Sequence, residues 1–145
     1  MSLVYWDTTL FVYWLEDKQP YSQLIDAIHR RMAQRGDRLC TGAFTLGELL
    51  VAPEKQNDQI LRDKIQTYFD GPSVEVLPFD TVTARQYAKI RSSGKVSPAD
   101  AIHLATASSA SVDLFLTNDR EVQKLIVPGI QFIDGLTTTA LGPVE

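Results

Sequence analysis

The chain has 145 residues, which suits one domain of ordinary size, and 44% of them are hydrophobic against 22% charged. That balance, without a low-complexity tract, argues against a disordered chain and leaves enough apolar surface for a folded core. The formal net charge of −4 and the pI of about 5.1 argue against binding of nucleic acid through bulk positive charge. Any chemistry on nucleic acid must therefore be local.

The apolar runs are too short to cross a bilayer, and the N-terminus lacks a basic segment followed by an apolar one. We therefore expect a cytoplasmic protein without contact with a membrane. Cys40 is the single cysteine, which excludes an intramolecular disulfide, and its strand-like surroundings predict a small core residue.

Short apolar segments typical of strands alternate along the chain with segments of helical periodicity. Strands are predicted at residues 3–6, 38–41, 74–79, 112–116 and 130–133. Helices are predicted at residues 8–16, 20–35, 45–51, 57–69, 83–92, 97–107 and 119–126, with Pro53 ending the third of them. The alternation predicts an α/β fold with a parallel sheet covered by helices on both faces. Sites in such sheets form at the carboxyl ends of central strands, where the strand order reverses.

The first predicted helix is apolar on nearly all sides. Such a helix lies inside a domain or covers a partner. Its aromatic neighbourhood, at Tyr5, Trp6, Tyr13 and Trp14, is therefore expected either in the core or at an oligomer or partner interface.

Acidic residues follow several of the predicted strands, and position alone does not distinguish a catalytic acid from a helix cap. Asp80 precedes a helix and is expected to cap it, and Asp134 precedes a glycine and is expected in a turn. Asp7 and Asp119 follow strands in the same way and are also candidate caps.

Two further acids, Glu48 and Asp100, can form capping boxes with Thr45 and Ser97 respectively. Their neighbours in sequence are mostly small and apolar, so a carboxylate there is costly unless it is paired. No Lys or Arg follows Asp100 within a helical turn. Several acids that converge without bases are best neutralised by a divalent cation, and oxygen ligands favour Mg²⁺ or Mn²⁺ over zinc.

Four segments in this order resemble a PIN domain, and their spacing is most similar to the VapC-type toxins of prokaryotic toxin–antitoxin pairs. They are Asp7-Thr8-Thr9 after the first strand, Glu48 on the third helix, Ser97-Pro98-Ala99-Asp100-Ala101 with Leu104-Ala105-Thr106-Ala107, and Leu116-Thr117-Asn118-Asp119-Arg120. The resemblance covers nearly the whole chain.

The resemblance implies one PIN-like nuclease domain at residues 1–134 and an irregular tail at residues 135–145. It implies a five-stranded parallel sheet in the order 3-2-1-4-5, flanked by helices. It also implies Mg²⁺- or Mn²⁺-dependent endonucleolytic cleavage of RNA, by attack of a metal-activated water on a phosphodiester. An antitoxin that inhibits the protein and a homodimeric state are the implied partners.

Carried over position by position, the family's acidic quartet corresponds to Asp7, Glu48, Asp100 and Asp119. Asp7 and Asp100 are then the principal metal ligands, while Glu48 and Asp119 ligate directly or through water, with one or two ions. Thr8 and Thr117 match supporting hydroxyl positions.

Other side chains and other functions compete with this interpretation. His103 lies one helical turn after Asp100 but is expected to be structural, and the basic residues Arg85, Lys89, Arg91, Lys95 and Arg120 form either a phosphate-binding rim or a solvated face. The alternative functions are a housekeeping RNA-processing or repair nuclease without antitoxin, a non-catalytic PIN binding module, and a phosphatase. The phosphatase is disfavoured because no second aspartate follows Asp7 two residues later.

Overall fold

The structure is a computed structural model that describes residues 1–142 of the chain. Its five strands are β1 Leu3–Trp6, β2 Arg38–Gly42, β3 Glu75–Leu77, β4 Leu114–Leu116 and β5 Phe132–Asp134. Its seven helices are α1 Thr8–Leu15, α2 Tyr21–Arg35, α3 Ala43–Gln56, α4 Gln59–Asp70, α5 Thr81–Ser92, α6 Pro98–Ser109 and α7 Arg120–Gln123. None of the helices within residues 1–142 is long and apolar enough to span a membrane.

The strands form one parallel sheet in the order β3-β2-β1-β4-β5, which confirms the predicted α/β class and strand order. The order reverses at β1, because the chain leaves β1 towards β2 and returns on its other side as β4. The crevice between the carboxyl ends of β1 and β4 is therefore the place where such a fold binds ligands.

Alternate side chains of each strand enter two different cores, as the two-residue period of a strand requires. From β1, Val4 and Trp6 join a core with Phe11 of α1, whereas Tyr5 joins a second core with Leu104 of α6. Helices α1 to α4 supply the first core, and α5 and α6 pack against each other beside the second. Helices therefore cover both faces of the sheet.

The aromatic residues near α1 all contact the core, to different depths, and the interface expected for some of them stays a prediction. Tyr5 and Trp6 have no exposed surface, so they are core residues, while Tyr13 and Trp14 are half-buried. Cys40 is likewise fully buried, as predicted.

The third helix is longer than the sequence predicts. It begins at Ala43 rather than Thr45 and continues through Pro53 to Gln56, so the prediction that Pro53 ends it is wrong. A proline costs the helix one backbone hydrogen bond. Pro53 nevertheless lies inside α3, where its side chain is buried and its carbonyl accepts from the Asp58 amide, 2.9 Å away.

Residues 135–142 contain no helix or strand, although Leu136 and Leu141 are buried against the first core. The division of the chain at residue 134 stays a prediction, and residues 143–145 of the predicted tail lie outside the described part of the chain.

Candidate metal centre at the carboxyl edge of the sheet

The carboxyl ends of β1 and β4 open into a shallow cleft of about 260 Å³, which we call the acidic cleft. Trp6 is in register with Leu116, so the residues that follow them, Asp7 and Thr117, lie side by side. The first turn of α6 adds a third residue, Asp100. The full lining consists of Asp7, Thr9, Tyr13, Asp100, Thr117, Asn118 and Asp119. Within residues 1–142, no Lys or Arg lines this cleft.

Asp7 is half-buried and caps α1, because its carboxylate accepts from the Thr9 amide at 3.1 Å. Burial raises the pKa of the Asp7 carboxyl, and the negative charge of Asp100 adds to the rise, while a contact with the Thr117 side chain opposes it. An ionised Asp7 is therefore unfavourable in this cleft unless positive charge reaches it.

The other two acids of the cleft also lie at helix starts: Asp100 is in the first turn of α6, and Asp119 is the cap of α7. Ser97 caps α6 through the Asp100 amide at 3.2 Å, and its hydroxyl in turn donates to the Asp100 carboxylate at 3.1 Å. Asp119 caps α7 by accepting from the amides of Glu121 and Val122 at 2.9 and 3.2 Å. Capping and convergence are thus compatible, because all three helices begin at this edge.

Glu48 is held differently and does not line the acidic cleft. Its Oε1 accepts from the hydroxyl of Thr8 and from Nε2 of His103, which lies 3.0 Å away. The hydrogen bond from His103 is the main reason why the pKa of Glu48 lies below its ordinary value, and the bond from Thr8 adds to it. The predicted capping box with Thr45 is wrong, because α3 begins before Thr45 and the Thr45 hydroxyl bonds that of Thr41 at 2.7 Å.

The acidic cleft fits a divalent cation in the chemistry of its donors. Carboxylate, amide and hydroxyl oxygens are the ligands that Mg²⁺ and Mn²⁺ prefer, and the raised pKa of Asp7 marks a carboxylate in need of a counter-charge. Nowhere in the described part of the chain do three or more His, Cys, Asp or Glu side chains stand close enough to hold a metal together. The carboxylates of Asp7 and Asp100 could hold such an ion, with water completing the shell, as Mg²⁺ commonly requires.

Asp80 and Asp134, the two acids expected to have only local structural roles, lie outside the acidic cleft. Asp80 caps α5 by accepting from the Thr83 amide at 3.0 Å, and Asp134 accepts from the Gly135 amide at 2.8 Å. Both serve the local structural roles expected for them. The prediction of a phosphate-binding basic rim has less support. Arg91 donates to the carbonyl of Val96 at 2.7 Å, and none of the five basic residues considered for the rim lines the cleft.

Sequence reasoning did not assign three side chains to the site, and it expected a fourth, His103, to be structural. Tyr13 and Asn118 line the acidic cleft, while His103 and, behind it, Tyr5 support Glu48. The position of His103 one turn after Asp100 was the available signal for its place near the acids. For Tyr5 there was none, because a tyrosine in a buried strand is typical of an aromatic core.

Comparison with known proteins agrees with this architecture. Among solved structures, a chain of the DNA-bound VapBC2 complex from Rickettsia felis is 13% identical, with a TM-score of 0.69 over 92% of this chain and 98% of the other. A chain of DNA-bound VapBC from Salmonella typhimurium is 24% identical, with a TM-score of 0.67 over 94% and 99%. A chain of VapBC-5 from Mycobacterium tuberculosis is 24% identical, with a TM-score of 0.60 over 92% and 98%.

These identities are low, so the three structures establish the shared fold alone. No curated protein sequence matches this chain. The sequence profile described as "PIN domain" matches residues 4–126, which include β1 from its second residue, all of β2, β3 and β4, and all four predicted acids. The chain therefore belongs to the PIN domain family.

Proposed function

We propose that this protein is a VapC-like toxin, a metal-dependent endoribonuclease that hydrolyses RNA phosphodiesters in the cytoplasm. The observation that carries the proposal is the acidic cleft, where Asp7, Asp100 and Asp119 come from three distant segments to the edge of the sheet that binds ligands. The absence of Lys and Arg from the cleft lining in residues 1–142 leaves these charges for a cation to neutralise.

In this proposal Asp7 and Asp100 bind Mg²⁺ or Mn²⁺, and Glu48 and Asp119 act directly or through water. When bound, an ion of this kind would stabilise negative charge on the phosphate as a Lewis acid. It would also lower the pKa of a water that it holds, so that this water can act as a nucleophile at neutral pH. The chain itself fixes the carboxylates, because Asp7 and Asp119 are held by the amides that they cap, and Ser97 holds Asp100. Thr117 supports this arrangement by accepting from the Asp119 amide at 3.1 Å, and Thr8 by donating to Glu48.

The test is cleavage of a pool of cellular RNAs by the wild type and by Asp100→Asn, with Mg²⁺ or Mn²⁺. The variant keeps the size of the side chain but loses a charged ligand, so we expect cleavage to fall by at least about 100-fold, which corresponds to about 2.7 kcal/mol. The matched control is Asp80→Asn, an acid that caps a helix at the same edge but lies outside the acidic cleft. It should cleave like the wild type.

Two outcomes would reject the assignment. Equal cleavage by Asp100→Asn and the wild type would place the chemistry elsewhere. A wild type that binds RNA but cleaves none with either metal would favour the non-catalytic binding module.

The antitoxin is proposed because the three structural neighbours are described as VapBC proteins, and VapBC-5 is described as a member of the VapBC family of toxin–antitoxin systems. We expect a small adjacent gene whose basic-tailed, DNA-binding product forms a complex with this chain and suppresses cleavage. An active nuclease with no such inhibitor would be the housekeeping enzyme instead. The proposed homodimer is checked separately by light scattering of the purified chain, and a mass near 16.2 kDa would reject it.

A further inference from the structure

A chain of hydrogen bonds connects the second core to Glu48, and we call it the Glu48 network. The Tyr5 hydroxyl lies 2.8 Å from Nδ1 of His103, and Nε2 of His103 lies 3.0 Å from Oε1 of Glu48. Tyr5 is fully buried and only 4% of His103 is exposed. The network thus joins β1, α6 and α3 through side chains that solvent barely reaches.

One assignment of the donors accounts for the contacts of this network. The Gly42 amide donates to the Tyr5 hydroxyl oxygen at 3.1 Å, which leaves the hydroxyl proton free to donate to Nδ1 of His103. A neutral imidazole that accepts at Nδ1 carries its proton on Nε2. That proton faces Oε1 of Glu48 at 3.0 Å and the Thr8 hydroxyl at 3.1 Å, and because the Thr8 hydroxyl itself donates to Glu48, the carboxylate is the common acceptor of both groups.

The two oxygens of Glu48 are in different situations. Oε1 accepts from both Thr8 and His103, whereas Oε2 has no hydrogen-bond partner recorded within residues 1–142. One third of the Glu48 side chain is exposed. The network therefore fixes one oxygen and leaves the other facing solvent, next to the start of α1 that also carries Asp7.

Packing holds the imidazole and the phenol in place. Tyr5 stacks on Phe115, with ring centroids 5.0 Å apart, and meets the edge of His103 at 5.9 Å. Phe44 of α3 lies 5.4 Å from the imidazole on another side. Because both rings are enclosed, neither can rotate away from its hydrogen bonds without disturbing the core.

We infer that His103 is a positioning residue, held as the Nε2–H tautomer by Tyr5, which orients Glu48 so that its free oxygen serves the metal centre. The inference rests on the proposed function, because it assigns Glu48 to a metal or to water bound by that metal. It goes beyond that function in adding His103 and Tyr5 to the machinery. Partners that orient metal ligands in this way commonly change metal affinity by about 10-fold to 100-fold.

The main experiment measures Mn²⁺ affinity by calorimetry, together with kcat and KM for RNA, in His103→Leu and His103→Gln. Leucine removes the donor at similar volume, so we expect Mn²⁺ affinity and kcat to fall by about 10-fold or more, with KM unchanged. Glutamine places an amide donor near the former Nε2, so it should recover most of both.

The matched control is Ser108→Ala on the same helix. Ser108 is buried and donates to the Pro128 carbonyl at 2.6 Å, so the variant loses a buried hydrogen bond without affecting Glu48. We expect lower stability but wild-type Mn²⁺ affinity. If His103→Leu behaves like this control, His103 is merely structural and the inference is overturned.

A second measurement does not depend on the folding of His103→Leu. Nitrogen-15 NMR of the wild-type imidazole should show a proton on Nε2 and none on Nδ1. Tyr5→Phe should change that pattern and weaken Mn²⁺ binding less than His103→Leu does. A wild-type ring protonated at Nδ1, or unchanged Mn²⁺ affinity in Tyr5→Phe, overturns the inference. A wild type that binds Mn²⁺ and cleaves RNA while these variants fail to respond separates this failure from failure of the proposed function.

Discussion

The acidic cleft and the Glu48 network lie at the same edge of the sheet but treat their carboxylates in opposite ways. In the cleft, burial and the neighbouring charge of Asp100 raise the pKa of Asp7. In the network, hydrogen bonds from His103 and Thr8 lower the pKa of Glu48. In the cleft, the contact with Thr117 and the nearby His103 only partly oppose the rise in the pKa of Asp7, whereas in the network hydrogen-bond donors stabilise the ionised Glu48 carboxylate. The arrangement in the cleft favours binding of a cation. The arrangement in the network fixes the position of Oε1 of Glu48.

The largest expected effect is that of Asp7→Asn, which should separate activity from stability. Cleavage should fall by at least about 100-fold, because a metal ligand is lost. Stability without metal at neutral pH should stay equal or rise, because asparagine still caps α1 and removes a charge that burial disfavours. Thermal unfolding and RNA cleavage on one preparation check both.

The pH dependence of Asp7→Asn has a definite sign. A carboxyl with a raised folded pKa costs stability as pH rises from its ordinary range through the raised value. The advantage of Asp7→Asn over the wild type should therefore grow with pH and then level off. A variant that is less stable than the wild type at every pH would contradict the description of the cleft.

A substitution that disturbs the Glu48 network should instead lower the stability of the protein. Gly42→Ala tests this expectation. A Cβ at Gly42 would lie 2.9 Å from the Tyr5 hydroxyl and 3.3 Å from Cγ2 of Thr106. Tyr5 cannot retreat because its ring is buried against Phe115, so we expect a loss of about 1–3 kcal/mol in the free energy of unfolding, measured by urea denaturation.

Gly47→Ala is the matched control for Gly42→Ala. Gly47 lies within α3, the helix that follows Gly42, and nothing lies within 4 Å of its added Cβ. Alanine there should stabilise the protein by up to about 1 kcal/mol through helix propensity. Equal stability of Gly42→Ala and the wild type would show that the Tyr5 hydroxyl is not fixed.

The smallest expected effect separates the two roles of Asp119. Asp119→Ala removes the cap of α7 and should cost about 1 kcal/mol, whereas Asp119→Asn should cost little, because asparagine is also a good cap. If Asp119 serves the metal, both variants should lose cleavage to a similar degree despite their different stabilities. If Asp119→Asn cleaves RNA like the wild type and only Asp119→Ala loses activity, Asp119 is not one of the proposed metal ligands.

Much of this protein was predictable from local sequence. Residues 3–6 and 112–116 are short, mostly apolar segments, and each is followed by polar residues that cap the next helix. The strands and the acids after them can therefore be predicted from neighbouring residues in the sequence. The resemblance to PIN domains supplied the strand order. Local pattern failed at Pro53, because a helix end depends on what its neighbours bury, and at Glu48, where an apparent capping box was a contact made across the fold.

The sequence by itself determined the alternation of strands and helices, the helix caps and the candidate acids, because each depends on residues within one or two turns. Only the tertiary structure decided that Tyr5, His103 and Glu48 form one network. Its two links join residues 98 and 55 positions apart. Hydrogen bonds over such separations exist only once α6 and α3 have packed at the edge of the sheet, and no periodicity in the sequence encodes that distance.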